Sequence, residues 1–295
     1  MIELLYDKSR GGTVVWVGFA VAAAMMILAL AINRKSARLA GLAVMIASTL
    51  ALLAAFATRW FLSGQPWYLP PLLNQFEALV GSALLGAAIA IAVELVWKRG
   101  FVAPAAAMYA TVVLLACWMF GPRTREISAP AAILDWPIMA AHVATIIVGY
   151  ALAGMTVVIS LAYLGVMLVR GLPRDESQLS AGPDLSGPVA GGVLAAIDRS
   201  NLIVSQLACW MILLGTMLGA YWADRAWGRW WGWDVKETWT LITCLAYLLT
   251  LHVRFVVPPR WRGLATAIMC VIGGAAMLFN WLAVNYLFRG LHSYA

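Results

Sequence analysis

Six tryptophans lie within eighteen residues of the segment AYWADRAWGRWWGWDVKETWTL, which covers positions 220–241. Their indole rings offer on the order of several hundred Å² of flat apolar surface, and an exposed area of that size often marks a binding site. Arg225 and Arg229 in the same segment carry guanidinium groups that suit carboxylates on a flat, apolar ligand. The alternative is a belt of interfacial tryptophans, whose rings are apolar and whose N–H groups need a partner. The six are Trp222, Trp227, Trp230, Trp231, Trp233 and Trp239.

An acid pair closes this segment. Asp234 and Glu237 have the spacing of a capping box, in which each side chain accepts a hydrogen bond from the backbone N–H of the other residue. This pattern predicts that a helix begins directly after Asp234, and it favours a structural role for the pair over acid–base catalysis.

The three histidines of the chain are the candidate metal ligands. His142 lies about five residues into an apolar run, and His292 follows the last apolar run, so both are expected at the same membrane surface as the tryptophans. Two imidazoles at one level can ligate an iron from opposite faces, whereas each alone is also typical of a hydrogen-bonded interfacial residue. His252 lies roughly 21 Å along its own apolar run at 1.5 Å per residue. An ionisable residue at that depth is a functional candidate, with snorkelling beside Arg254 as the alternative.

The composition places these residues in a membrane protein. Of 295 residues, 63% are hydrophobic and 11% are charged, and the mean hydropathy is +0.87. A soluble domain does not bury so much apolar surface, so we predict an all-α, polytopic membrane helix bundle. The net charge of +7 comes from short clusters between apolar runs and indicates no nucleic-acid partner. The eight runs, most near the ~20 residues of a membrane helix, are 13–32, 39–57, 76–96, 101–120, 137–169, 202–222, 238–257 and 263–288.

The loops predict the orientation. Eight crossings put both termini on one side, and the segment 171–197, rich in Gly, Ser and Pro, connects two helices on the other side. The positive-inside rule makes that second side cytoplasmic, so both termini, the loops at 58–75 and 121–136 and the tryptophan segment are expected to be external. Eleven of the 20 basic residues fall on the cytoplasmic side: Arg34, Lys35, Arg38, Lys98, Arg99, Arg170, Arg174, Arg199, Arg254, Arg260 and Arg262.

The N-terminal segment and the cysteines indicate no processing, redox or metal site. The N-terminus, MIELLYDKSRGG, has no signal-peptide cleavage pattern, so the first apolar run is expected to remain as a helix. The four cysteines lie in or beside apolar runs without CxxC spacing, and we interpret them as small apolar core residues.

Several segments together resemble the CcsA/ResC family of cytochrome c biogenesis membrane proteins, the haem-handling component of system II. The resemblance is strongest over 137–170 and from 198 to the C-terminus, weaker over 59–77, and nearly absent in the first fifty residues. The segments that carry it are WADRAWGRWWGWDVKETWTLITCLAYLLTLHVR, NYLFRGLHSYA, AAHVATIIVGYALAG, LLNQFEAL and LGTMLGAYWA. Gln65 stands where relatives often have histidine, so we assign that loop no ligand role.

This resemblance implies a function. Members carry haem b outward through the bacterial plasma membrane and attach it to the CxxCH thiols of an apocytochrome c at the external face. Residues 220–240 then correspond to the family's WWD haem-binding segment, with His142 and His292 as external iron ligands and His252 as the membrane histidine. A CcsB/ResB-type membrane subunit supplies a second membrane histidine, thiol-reducing proteins act indirectly, and lipid surrounds the bundle. The residues expected to contact haem, besides the histidines, are Trp222, Arg225, Trp227, Arg229, Trp230, Trp231, Trp233 and Asp234.

Two other functions are compatible with the same features. A b-type electron-transfer subunit requires paired histidines facing each other inside the membrane, and only His252 is expected there. A haem exporter without synthase activity is not separable by sequence, because the synthase itself needs no catalytic nucleophile.

Overall fold

The computed structural model describes residues 6–8, 10–97, 100–119, 125–127, 132–171 and 192–288. His292, with the rest of the GLHSYA ending, lies outside the described residues, as does most of the predicted 171–197 connection. The described residues contain helices and turns and no strand, and eight of these helices are long and apolar enough to cross a membrane. The predicted all-α bundle with eight membrane helices is therefore confirmed.

Where the connections between helices are described, they consist of 3-10 turns and irregular backbone. The long ones are α1 (Trp16–Ala31), α2 (Lys35–Ser63), α3 (Gln75–Trp97), α4 (Val102–Met119), α5 (Pro137–Arg170), α6 (Val193–Trp227), α7 (Val235–Val256) and α8 (Arg262–Leu278). A π-helical turn (Phe279–Ala283) and a short α9 (Val284–Leu287) continue the last span, and 3-10 turns occupy Thr13–Val15, Ala132–Leu134 and Pro259–Trp261.

Helix α6 is longer at both ends than the apolar run predicted at 202–222. Its first turns contain the polar run from Asp198 to Asn201, which interrupts the hydrophobic pattern but is buried inside the bundle. Residues 193–197 of the predicted connection are therefore helical. At the other end Trp222 and Trp227 lie on α6 rather than in a loop, so the irregular part of the tryptophan segment is only 228–234.

The most extensive helix interface joins α5 and α6. Two glycines allow their backbones to approach closely, as small residues do between membrane helices. A Cβ at Gly149 would lie 3.0 Å from the backbone nitrogen of Ile212, and a Cβ at Gly215 would lie 3.1 Å from that of Ile146. This pair of helices is the scaffold that carries His142 and the first tryptophans.

A buried ion pair ties α6, α7 and α8 together at one end of the bundle. Arg254 of α7 donates to both carboxylate oxygens of Asp198 on α6, at 2.7 and 3.0 Å, and to the hydroxyl of Thr266 on α8 at 2.8 Å. Arg254 and Asp198 are 1% and 2% exposed, so lipid and water are both excluded from the pair. In such surroundings a bidentate pair with further hydrogen bonds satisfies charges that the membrane cannot.

A second buried pair holds the opposite end. Arg59 near the end of α2 donates through Nε to Glu77 in the first turn of α3 at 2.8 Å. Its remaining donors reach the backbone carbonyls of Arg125 and Glu126 and the hydroxyl of Tyr6. One side chain thus joins two helices to the chain before α1 and the connection before α5.

We expect Asp198→Asn to lower the free energy of unfolding by about 3–5 kcal/mol, because it leaves the buried Arg254 guanidinium without its counter-charge. The measurement is denaturant-induced unfolding of the full chain in detergent micelles. Arg260→Met is the control, because Arg260 is exposed and lies only over the ring of Trp261. Equal stability of the Asp198→Asn variant and the wild type would contradict the structural role of the pair.

Candidate functional site

The turn between α6 and α7 is held by hydrogen bonds at both helix ends. Helix α6 stops at Gly228, which has a φ of 71° and donates its N–H to the carbonyl of Asp224 at 2.8 Å. Helix α7 begins with the predicted capping box, which is confirmed: Asp234 is the N-cap and Glu237 accepts from its backbone N–H at 3.1 Å. Glu237 also accepts from the N–H of Gly232 at 2.7 Å. One carboxylate therefore fixes the backbone on both sides of Trp233.

Trp233 itself is in a strained conformation. Its φ of 58° lies in the left-handed region, which is rare for a bulky residue and costs about 1–3 kcal/mol. Its ring is 70% exposed and contacts Trp231 edge-on at 5.9 Å between centroids. Strain of this kind is often found at ligand-binding segments, and here the two bonds to Glu237 maintain it.

The tryptophans differ in burial: Trp222 is buried, Trp227, Trp231 and Trp239 are half-buried, and Trp230 and Trp233 are exposed. Trp222 is 2% exposed and packs edge-on against Trp227 at 4.8 Å, in a small core with Leu134 and Met139. Trp230 and Trp233 are 55% and 70% exposed. Trp222 therefore belongs to the core of the bundle, and the exposed rings form the accessible surface.

Trp231 has a different environment from the other rings. It is half-buried, and its indole N–H is shielded yet has no hydrogen-bond partner in the part of the chain that the structure describes. A buried donor without a partner is unfavourable and calls for an explanation, such as a bound group that accepts from it.

His142 of α5 is held rigidly against α6. Its Nδ1 lies 2.7 Å from the carbonyl oxygen of Gly215, and because a carbonyl only accepts, Nδ1 carries the proton. In the neutral ring the lone pair is then on Nε2, the arrangement that metal-ligating histidines adopt. The ring lies directly on Gly219, where a Cβ would be 2.6 Å from Cε1. The imidazole can lie in this position because residue 219 is a glycine and has no Cβ.

His142 borders two cavities. The first, which we call the tryptophan cavity, has a volume of about 50 Å³ and is lined by His142, Thr216, Gly219, Ala220, Ala223, Trp227, Trp230, Trp231, Glu237 and Thr240. The second, which we call the lysine cavity, has a volume of about 140 Å³ and has Lys236 among its lining residues. Sites that enclose a drug-sized ligand have volumes of about 300–1,000 Å³, so a large flat ligand would lie across these openings.

The two arginines of the segment lie outside both cavities. Arg225 is exposed and sits over the ring of Tyr221 at 5.6 Å. Arg229 is exposed too, and its guanidinium covers Gly232, where a Cβ would be 2.6 Å from Cζ. Both are therefore placed at the rim of the site, next to the exposed rings.

His252 is not brought to this site. It lies sixteen residues beyond Lys236 on α7, which corresponds to about 24 Å. Its side chain is exposed on the outer surface of the bundle, where Nδ1 donates to the carbonyl of Leu248 at 2.7 Å in its own helix. The exposed side chains of Leu249 and Phe255 flank it, so it faces the lipid or another protein.

Sequence reasoning missed three residues of the site. Gly219 contacts the His142 ring, and Lys236 lines the second cavity. Asn280, fully buried in the π-helical turn, donates to Tyr150 at 2.7 Å and to Thr240 at 2.8 Å. Tyr150 lines the lysine cavity and Thr240 lines the tryptophan cavity. The available signals were a polar residue inside an apolar run at 280 and a cation in the first turn of a helix at 236.

We expect Glu237→Ala to loosen the 228–234 turn, because the N–H groups of Gly232 and Asp234 lose their acceptor. Trypsin should then cut after the exposed Arg229 faster than in the wild type, while cutting after Arg260 stays unchanged. Glu237→Gln is the matched control, since a glutamine oxygen can still accept in a capping box. Unchanged cleavage after Arg229 in Glu237→Ala would show that this carboxylate does not hold the turn.

Comparisons with known proteins place the chain in a family. The family described as "Cytochrome C assembly protein" matches residues 72–292. A cytochrome c biogenesis protein CcsA from Prochlorococcus marinus (strain MIT 9303) is 30% identical over 317 residues, covering 98% of this chain and 95% of the relative. The CcsA protein of Synechococcus sp. (strain CC9605) is 31% identical over 281 residues, covering 89% of this chain and 88% of the relative. The CcsA protein of Porphyra purpurea is 27% identical over 274 residues, covering 83% of each. The chain therefore belongs to the cytochrome c assembly protein family, and the predicted resemblance to CcsA is confirmed.

Proposed function

We propose that this membrane protein binds haem b at the tryptophan segment and presents it for covalent attachment to apocytochrome c. The observation that carries the proposal is the position of His142, whose ring is fixed by Gly215 and Gly219 at the edge of a tryptophan-lined cavity. Family membership gives the chemical context, since the relatives are named for cytochrome c biogenesis. His142 and His292 are the residues that would hold the haem iron.

The described residues fit a porphyrin in three respects. Exposed indole rings provide flat apolar surface, and the imidazole of His142 is held with Nδ1 as donor, which suits iron ligation by Nε2. The Trp231 N–H lacks an acceptor among the described residues. The cavities are too small to enclose the macrocycle. The porphyrin therefore stays partly exposed, as an acceptor protein requires.

The protein's contribution to the reaction is positioning. Thioether formation adds a cysteine S–H across a vinyl C=C, with sulfur joining one carbon and hydrogen the other, so no group leaves. Holding the vinyl edge and the CxxCH thiols together supplies the rate advantage of an intramolecular reaction. His142 fixes the iron, Glu237 fixes the turn that carries the rings, and Arg225 and Arg229 stand at the rim for propionates.

The second part of the proposal concerns His252 and orientation. An imidazole exposed toward lipid is costly, so a CcsB/ResB-type subunit covers this face and supplies a second histidine to the haem on its outward path. Eleven of the 20 basic residues are predicted on the side of the bundle where His252 lies, which supports a cytoplasmic orientation for that side, with the tryptophan segment and both termini outside the bacterial plasma membrane.

We expect His142→Ala to abolish the wild-type haem spectrum at this site and the maturation of a co-expressed apocytochrome c. Gly219→Ala should weaken both, because its Cβ would displace the imidazole. Gly165→Ala is the matched control, since a Cβ at this helical glycine meets nothing within 4 Å. The measurements are absorption spectra of the purified complex and covalent haem in the cytochrome.

Wild-type spectra and cytochrome yields in both His142→Ala and Gly219→Ala would refute the site. A wild-type protein that delivers haem to the external side without covalent attachment would instead identify an exporter.

We expect His252→Ala to leave the fold intact, because its side chain is exposed and its hydrogen bond among the described residues is to Leu248 in the same helix. Haem content of the complex with the partner subunit should fall several-fold, with a parallel loss of cytochrome c. Leu249→Ala, on the same exposed face, is the control. Equal haem content in His252→Ala and the wild type would exclude a role on the haem path.

A further inference from the structure

The tryptophan cavity contains a hydrogen-bond donor that meets no acceptor. The indole Nε1 of Trp231 is shielded from solvent and has no hydrogen-bond partner in the part of the chain that the structure describes. Trp231 lines a space of about 50 Å³, which is large enough to admit a small group. A shielded N–H without a partner is unfavourable, so a bound group that accepts from it would stabilise this arrangement.

The polar side chains that line the cavity with Trp231 include three that can only accept. Glu237 holds the 228–234 turn through Oε2, and its Oε1 makes no hydrogen bond within the described ranges. The hydroxyls of Thr216 and Thr240 donate to backbone carbonyls of their own helices, at 2.7 and 2.8 Å, so each has lone pairs but no proton left for a ligand. The group that suits this cavity therefore accepts from Trp231 and also donates to one of these oxygens.

This requirement excludes the side groups of haem. A propionate, as a carboxylate, only accepts, and the carboxylate of Glu237 on the cavity wall repels it. A vinyl or methyl group neither accepts nor donates and would leave the Trp231 N–H unsatisfied. The Trp231 N–H is therefore matched to a group of the second substrate in the proposed reaction, and not to the porphyrin itself.

A cysteine side chain has the required chemistry and size. Its S–H donates weakly and its sulfur accepts weakly. An engineered cavity of ~150 Å³ holds benzene, with six carbon atoms, so a cavity of 50 Å³ holds about two non-hydrogen atoms. The side chain of cysteine has two, Cβ and Sγ. The indole rings of Trp227, Trp230 and Trp231 on the walls favour sulfur over water, because sulfur is polarizable and makes favourable contacts with aromatic rings.

We propose that the tryptophan cavity binds the thiol of one acceptor cysteine, with Trp231 Nε1 donating to the sulfur and the S–H donating to Glu237. The inference rests on the proposed function, in which the acceptor is an apocytochrome c with a CxxCH motif. His142 borders the same cavity, so the bound thiol lies next to the residue that would hold the haem iron. Binding leaves the S–H bond intact, so sulfur and hydrogen both remain available for addition across the vinyl C=C.

The test is a double-mutant cycle between Trp231 and the thiols of a peptide. The haem-free full chain in detergent, with a phosphine reductant, is titrated with a fluorescently labelled CxxCH peptide and with its AxxAH analogue, and binding is followed by anisotropy. We expect the wild type to bind the CxxCH peptide about three- to tenfold more tightly, as one net hydrogen bond warrants. Trp231→Phe keeps a flat ring but loses the N–H, so it should bind the two peptides with nearly equal affinity. Trp210→Phe, the same exchange at an exposed position of α6, is the control and should keep the preference.

A second measurement uses the haem-loaded complex with the partner subunit. Trp231→Phe should leave the Soret band unchanged, because the N–H serves the thiol and not the haem. The apocytochrome concentration for half-maximal covalent attachment should rise about three- to tenfold. An unchanged Soret band also shows that the variant is folded.

The outcomes separate this inference from the proposed function. A preference for the CxxCH peptide that persists in Trp231→Phe would overturn the role of Trp231, and a wild type without the preference would show that the cavity holds only water. Loss of the haem spectrum in Trp231→Phe with the peptide preference intact would assign the N–H to haem instead. A wild-type complex that attaches no haem would overturn the proposed function, whereas the peptide titration contains no haem and reports on the thiol site alone. If Trp231→Phe binds neither haem nor peptide, it is unfolded, and Trp231→Leu repeats the comparison.

Discussion

Lipid offers no hydrogen bonds, and this constraint shapes the whole bundle. Two buried arginines in the described helices are paired with carboxylates of the protein itself: Arg254 with Asp198 at one end, and Arg59 with Glu77 at the other. Each pair joins two consecutive helices, α6 to α7 and α2 to α3, so helix packing is fixed at both ends of the bundle. Between these pairs, α5 and α6 pack backbone to backbone at small residues. A rigid frame of this kind can hold a single imidazole in one place.

The candidate site is built from helix ends more than from a loop. His142 comes from α5, Gly215 and Gly219 from α6, and Glu237 from the first turn of α7. Only the turn at 228–234 is irregular, and its backbone is tied to Glu237 on both sides of the strained Trp233. The aromatic surface is therefore preorganised, which reduces the ordering that a flat ligand must cause when it binds.

The sequence was sufficient for features governed by local pattern. The eight spans follow from hydropathy, and the capping box follows from the spacing of Asp234 and Glu237. Features that depend on tertiary contacts were not accessible. The polar residues at the start of α6 were not included in the predicted apolar run at 202–222. Their burial depends on a distant contact, since Arg254, the partner of Asp198, is 56 residues away. Trp222 resembled the other tryptophans until packing placed it in the core. The contact of Gly219 with His142 likewise has no local signature.

The shallow site has a functional rationale. Enclosure of most of a ligand's surface gives high affinity and slow release, which suits a resident cofactor. In the proposed function the protein hands haem to another chain, which needs the opposite: firm contacts at a few points and an open edge. Here the points are the ring of His142 and the two small cavities beside it, and the open edge is the side where Trp230 and Trp233 are exposed. Cavities of about 50 and 140 Å³ can recognise small groups without burying a porphyrin. Under that proposal the orientation of haem is fixed while its release stays fast, because covalent capture by the acceptor, and not tight binding at this site, would make the transfer irreversible.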